Sequence, residues 1–384
     1  MHGTIHTAFR VEWRPINALE SDAAEWRMLA GRAVEANVFY EPSFVLPAAG
    51  VFGCNVGAGL VWSRTAPERL LGMFPARIER RRYGLALPLL VGWTHPYAPL
   101  GTPLVDPDCS EAVIAAWVDH IERDPRLPKL MLLPYLPAHG PLASAINALI
   151  ARRGGRSAMF ARHARALLVA GSTRENYLEQ SVDRKKRKDL RRQRNRLAES
   201  GSLSTDVAST PGAVAAAMSE FFSLEARGWK GLAGTAARCD GEIAGIVGGA
   251  VIALAGEGKA RVVRLCMGGQ AVAALVILRS GTSAWCWKIA YDEDYARFSP
   301  GVQIVLDATR MLLGDAGLER TDSCATPDHP MIDHIWRERL PLCDHLISFG
   351  RGSALKFELA CRLKGARRAG FQIAKAARDL LRPR

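Results

Sequence analysis

Hydrophobic and polar positions along this chain alternate between a period of two and a period near 3.6, and the switches mark a succession of strands and helices. AFRVEW reads as a strand and SDAAEWRMLAGRAVE as a helix, with Ser21 as its predicted N-cap. Three strands follow, in AGLVWS, LGMFPARIE and LALPLLVGW, and then a loop rich in Pro, His and Tyr, THPYAPLGTPLVDPD. EAVIAAWVDHIERD is a helix, LPKLMLLPYL a buried strand, PLASAINALIARRG a helix and ARALLVAG a strand. The series then restarts. A helix from about 182 to 200 ends at Gly201, and LSTDVAS is a strand. Pro211 opens a helix, and a Gly/Ala-rich helix covers about 240–257. RVVRLCM, AVAALVILRS and TSAWCWKIAY are strands joined by turns at Gly268-Gly269 and Ser280-Gly281. VQIVLDATRMLLGDAG is a helix, LERTDSCA a strand, MIDHIWRERL a helix and CDHLISF a last strand.

The two series share an architecture without a residue-level repeat. Each has three strands, an irregular aromatic loop, a helix, a strand and a helix. The expectation is an α+β chain of two tandem domains, 1–170 and 171–350, each a mixed, mostly antiparallel sheet flanked by helices, with a tail at 351–384. A length of 384 residues suits two domains.

Composition adds limits. Apolar residues at 48% and charged residues at 23% exclude a mainly disordered chain. No apolar run reaches the length of a membrane-spanning helix, and the N-terminus lacks a signal-peptide core, so a cytosolic location is expected. The eight cysteines form no CxxC pair and mostly sit in apolar runs, as buried thiols do. The net charge of +13 is concentrated. Arg184 to Arg196 holds nine basic residues and one acid, and Arg351 to Arg384 holds ten and two. The remainder is slightly acidic, so two local polycationic segments need explaining.

The strand order, with SFFSLEARGWKGLAGTAA and YDEDYARFSPGVQIVLDATRMLL after the basic KKRKDLRRQRNRLAESG, resembles GNAT acetyltransferases. It is similar in particular to the CelD-type branch associated with cellulose and exopolysaccharide synthesis. That branch is akin in fold to the tandem-GNAT Fem aminoacyltransferases. The resemblance covers about 175–350 well and the first half in outline. It implies transfer of an acyl group, acetyl above all, from acyl-CoA to an amine that attacks the thioester directly. The acceptor would be an amino sugar or a similar small or lipid-linked amine. Two alternatives stay open: a non-catalytic anion- or membrane-binding partner, and an enzyme that takes its acyl group from tRNA.

Ser299, Pro300, Gly301, Val302 and Gln303 are the candidate cofactor site. A helix start offers unpaired N–H groups and a partial positive charge to a pyrophosphate, Pro300 needs no donor there, and Gly301 lets an anion approach. GNAT proteins hold the CoA pyrophosphate at such a place, with more glycines than the one here. The corresponding helix of the first half starts DPDCSEA, whose acids repel phosphate, so the donor is assigned to the second half. Direct attack needs a group to take the amine proton. Asp322, Asp328 and His329 are candidates, with Tyr291 and Lys288 behind them. The spacing of His329 and His334 argues against a metal site. Arg187, Lys188, Arg191 and Arg194 share much of one helix face and are candidates for a substrate or other polyanion. Trp229 and Lys230, between glycines, suggest a mobile acceptor loop. The tail repeats apolar residues at steps of three or four among Lys and Arg, which suits a basic amphipathic helix at the inner face of an anionic membrane, or on the protein's own body.

Overall fold

The computed structural model describes residues 9–82, 84–170, 176–228, 240–349 and 353–380, the stretch 368–380 for its backbone only. Its strands form one mixed sheet. From edge to edge the order is β1 (Phe9–Pro15), β2 (Val56–Ser63), β3 (Leu70–Glu79), β4 (Leu89–Gly92), β6 (Leu130–Pro137), β13 (Glu338–Ser348), β7 (Arg156–Val169), β12 (Arg320–Asp322), β11 (Ser283–Tyr291), β10 (Gln270–Ser280), β9 (Ala260–Met267) and β8 (Leu203–Ala208). β5 (Leu104–Val105) pairs with β3 beside this path. Among the described residues only β4 with β6 and β11 with β12 pair in parallel. The α+β class and the mostly antiparallel sheet are as expected.

Period-two patterning builds both faces. On β10, Ala274, Val276 and Leu278 face a core with α7 (Pro211–Arg227) and α8 (Gly241–Gly256). Their neighbours Ala273, Leu275 and Ile277 face α6 (Arg184–Glu199) and α9 (Pro300–Gly314). The first half repeats this arrangement. α1 (Ala23–Arg32) and α2 (Pro42–Phe52) cover one face, and α3 (Ser110–Arg123) and α4 (Pro141–Arg152) the other. A short α5 (Tyr177–Ser181) precedes α6, and α10 (Ala354–Leu380) closes the described chain. Among the described residues no helix is long and apolar enough to cross a membrane.

Strand pairing runs across the expected boundary at 170. β7 pairs with β12, and β13 lies between β6 and β7. The helix expected in MIDHIWRERL is absent. Ile332–His334 form a single 3-10 turn and Glu338 already starts β13. Tertiary contacts override the local periodicity there. Trp336 is fully buried with Nε1 donating to Thr309 of α9 at 2.9 Å, and residues 338–342 pair with β7. β7 starts at Arg156, eight residues earlier than its apolar end suggested, because β13 supplies a partner for its polar part. Ser21 lies in a 3-10 turn, and α1 follows without a side-chain cap. The second hairpin turns at Gly281-Thr282, since Ser280 still pairs with Ser283.

Candidate active site

The second half opens a gap in its own sheet. β11 and β12 pair only from Ser283–Trp285 to Arg320–Asp322, and past Trp285 β11 continues to Tyr291 with β10 alone. On β10 the register slips between Val276 and Ile277, which makes Trp287 the extra residue of a bulge. Among the described residues, backbone groups of β11 facing the gap lack a strand partner there.

The chain leaves β11 through a 3-10 turn, Glu293–Phe298, and enters α9 at Ser299. Ser299 is left-handed, at φ 54° and ψ 50°, and its hydroxyl does not cap the helix. Its carbonyl takes the N–H groups of Val302 and Gln303 at 2.9 and 3.0 Å. Pro300 occupies the first turn, as the sequence implies. Gly301 is buried under Tyr291, and a Cβ there would come within 3.1 Å of Tyr291 Cδ1. The glycine thus serves close packing of α9 on β11. The matching helix start in the first half is closed to anions. Asp106 is 1% exposed, takes the Asp108 N–H and pairs with Arg32 at 2.7 Å.

Gln303 ties the two basic-groove helices together. It is buried, and its Nε2 donates to the Leu190 carbonyl of α6 at 2.8 Å. From that contact a groove of about 970 Å³ runs along α9, lined by Arg184, Arg187, Lys188, Arg191, Arg194 and Arg310 with Leu178, Val182, Leu306 and Leu313. All four cations singled out on α6 therefore meet Gln303 in one groove. Internal acids answer some of this charge. Asp307 pairs with Arg194 and Arg310 at 2.9 Å each, and Glu179 approaches Arg187 at 3.7 Å. Arg187 Nε and Arg194 Nη1 are buried without a hydrogen-bond partner among the described residues. Orphaned guanidinium donors in a groove that reaches α9 at Gln303 but is not lined by Ser299 to Val302 are what a phosphorylated ligand would satisfy. The residues present fit such a group.

The catalytic candidates lie on different elements. Asp322 is 4% exposed, 3.1 Å from Arg165, and takes the Cys324 N–H at 2.8 Å. Arg165 also donates to the Pro99 carbonyl at 2.6 Å and lies under the Tyr135 ring. Both carboxylate oxygens of Asp322 are committed to the frame. Asp328 is exposed, with φ 55°, and His329 Nδ1 accepts the Met331 N–H at 3.3 Å. These two sit on the turn after β12, whereas Tyr291 lies against the start of α9. Burial, with Asp322 next in effect, raises the Cys324 thiol well above its ordinary range, which makes it a poor nucleophile. Trp229 and Lys230 lie outside the described residues.

Sequence reasoning named Tyr291 and Lys288 but missed Glu225 and Tyr97 beside them. Glu225 near the end of α7 is 3% exposed and lines a small cavity with Gly228, Ile289, Tyr291 and Glu293. Lys288 Nζ stands 4.4 Å from the Tyr97 ring centre, and Trp287 Nε1 donates to the Tyr97 carbonyl at 2.9 Å. Burial raises the Tyr97 hydroxyl pKa, and Glu225 and Asp240 add to it. The aromatic loop of the first half thus packs against the second half's site strand. Its Pro, His and Tyr content was the visible signal. A glutamate among the apolar residues of FFSLEAR was the signal for Glu225. A further buried carboxyl, Glu35, is pushed up to about 7 by burial and shares a narrow cavity with Thr102, Arg320 and Asp322.

Comparison with known proteins bears on the same region. Residues 184–329 match the family model described as an acetyltransferase (GNAT) domain. That span starts at α6 and includes both walls of the groove. The C-terminal domain of a putative lysylphosphatidylglycerol synthetase from Agrobacterium fabrum is similar in structure, with a TM-score of 0.54 and 12% identity over 90% of this chain and 95% of that one. FemX gives a TM-score of 0.57 and 9% identity over 86% and 96%. A conserved protein of unknown function from Bacteroides thetaiotaomicron gives 0.53 and 12% over 89% and 100%. At such identities the likeness is one of fold, and it spans both halves. No curated protein sequence matches the chain.

Proposed function

We propose that this protein is an acyl-CoA-dependent N-acyltransferase whose donor site lies in the second half, between the start of α9 and the open edge of β11. The observation that carries this reading is the groove of about 970 Å³ that joins Gln303, in the first turn of α9, to the cations of α6. Ser299 to Gln303 would hold the pyrophosphate at the helix start, and Arg187, Lys188, Arg191 and Arg194 the remaining phosphate. Acyl-CoA supplies the acyl group as a thioester.

Glu225 is the proposed proton acceptor. It is buried, lies on the acceptor side of β11 and shares a cavity with Tyr291, whose ring touches the helix start. An incoming amine placed in that cavity forms the new C–N bond as the C–S bond breaks. Glu225 takes the amine proton and passes it to solvent, and the departing CoA thiolate takes a proton from solvent. Asp322 with Arg165 positions the strand end, and Asp328 and His329 stand at the rim as second candidates. Trp229 and Lys230, just past Gly228, are proposed acceptor contacts. The acceptor class favoured is an amino sugar or a related small or lipid-linked amine of envelope or exopolysaccharide synthesis, handled in the cytosol.

A thermal-shift series with acetyl-CoA and longer acyl-CoAs tests the donor. Ligand at about 100 times its Kd should add about 2.7 kcal/mol of stability. No shift at millimolar acyl-CoA would remove the main support for this reading. The six-cation groove also suits a polynucleotide, so an aminoacyl-tRNA donor is the second reading. Co-purifying RNA, seen as excess absorbance at 260 nm, together with no acyl-CoA shift, would favour it.

A further inference from the structure

We propose that the first turns of α10 and the loop between β3 and β4 form a docking face for an anionic lipid surface. The helix is firmly seated by one side. Phe357 and Ala360 are buried in a cluster with Leu87, Leu89 and Leu346. On that side Lys364 pairs with Asp344 at 2.7 Å, while Glu358, on the outer side, pairs with Arg156 at 2.5 Å. Because this side is anchored, the residues left outside are held outside. Leu355 is 85% exposed and Leu359 40% exposed. They stand four residues apart, with Arg362 exposed a further three on, so the three share one face of the helix. Glu358 is on the same side, and Arg156 already answers its charge.

The loop meets the same cluster. Leu85 is 43% exposed, two residues before Leu87, which belongs to the cluster that seats α10. Arg80 and Arg81 are exposed beside it, whereas Arg82 is tied to Glu79 at 2.6 Å. Exposed leucines among arginines that have no ion pair among the described residues are the composition of a surface that inserts shallowly among headgroups while cations meet their phosphates. The excess of Lys and Arg in 351–384, ten against two acids, adds to the same attraction. A second copy of the chain would bring like charge against like, so the occupant inferred is an anionic bilayer. The inference stands apart from the donor site, since the assay below contains no acyl donor.

Co-sedimentation of the full chain with phosphatidylcholine vesicles, with and without phosphatidylglycerol, is the test. Binding is expected only where phosphatidylglycerol is present, and should weaken with salt. Leu355→Glu with Leu359→Glu should lower vesicle affinity on the order of tenfold. Arg80→Gln, Arg81→Gln and Arg362→Gln together should lower it by a similar factor. An unchanged thermal transition would show that both variants fold. Equal binding to neutral vesicles, or undiminished binding by either folded variant, would overturn the proposal. So would a wild-type dimer in sedimentation that the leucine variant abolishes, because the face would then belong to a second copy.

Discussion

Two buried carboxylates with different surroundings illustrate what single residues do here. Asp322 is fixed by Arg165 and the Cys324 N–H, whereas Glu225 borders a cavity at the site strand. Asp322→Asn would leave the Arg165 charge buried without its partner, at a cost of about 3–5 kcal/mol. Glu225→Gln would keep the shape and remove the proton acceptor. The expected outcome is a lowered melting temperature for the first variant. For the second, turnover at saturating acyl-CoA should fall about a hundredfold, with CoA affinity little changed. Chemical denaturation and steady-state kinetics separate the two, and the reverse pattern would exchange their roles. The sequence exposes Asp322 as an acid at a strand end but conceals Arg165, because a partner across the sheet leaves no local trace. Glu225 is hidden in another way. It lies in a helix whose apolar spacing gives no hint that this turn faces a cavity.

At the level of elements, α6 and α9 depend on one another. Period makes both legible in sequence, with Gly201 closing the first and Pro300 opening the second, and in the structure Asp183 caps α6 by accepting from Lys185 and Lys186. Their adjacency is not legible, since it rests on a long-range bond from Gln303 to Leu190. Replacing Arg187, Lys188, Arg191 and Arg194 with Gln should leave the helices in place, because Leu190 and Leu197 carry their buried contacts. Acyl-CoA affinity should then fall at least tenfold, and its dependence on salt should become shallower. Isothermal titration at several ionic strengths measures both. Affinity equal to wild type at low salt would reduce the basic run to a solvated helix face. MIDHIWRERL shows the opposite limit of sequence reading, where a helical period lost to the pairing offered by β7.

On the scale of the molecule, the two series of elements are visible in sequence while their exchange of strands is not. CDHLISF reads correctly as a strand, yet nothing local says that it inserts between β6 and β7. Residues 1–170 alone would leave facing edges of β6 and β7 unpaired. We expect that fragment to aggregate or to melt without cooperativity. Joining 338–349 to it through a flexible linker should restore a cooperative transition in circular dichroism. A fragment that melts cooperatively without this addition would show that the first half folds independently.

The place of β13 also sets an order in time. A ribosome delivers β6 and β7 early and the strand between them only after the whole second half has been made. At about 5–20 residues per second that interval is on the order of ten seconds. Throughout it the nascent first half carries an open slot the width of one strand. Any extended segment nearby, from another growing chain above all, is a competitor for that slot. Yield in the cell should therefore respond to chaperone supply and crowding of polysomes more strongly than the stability of the finished molecule would suggest.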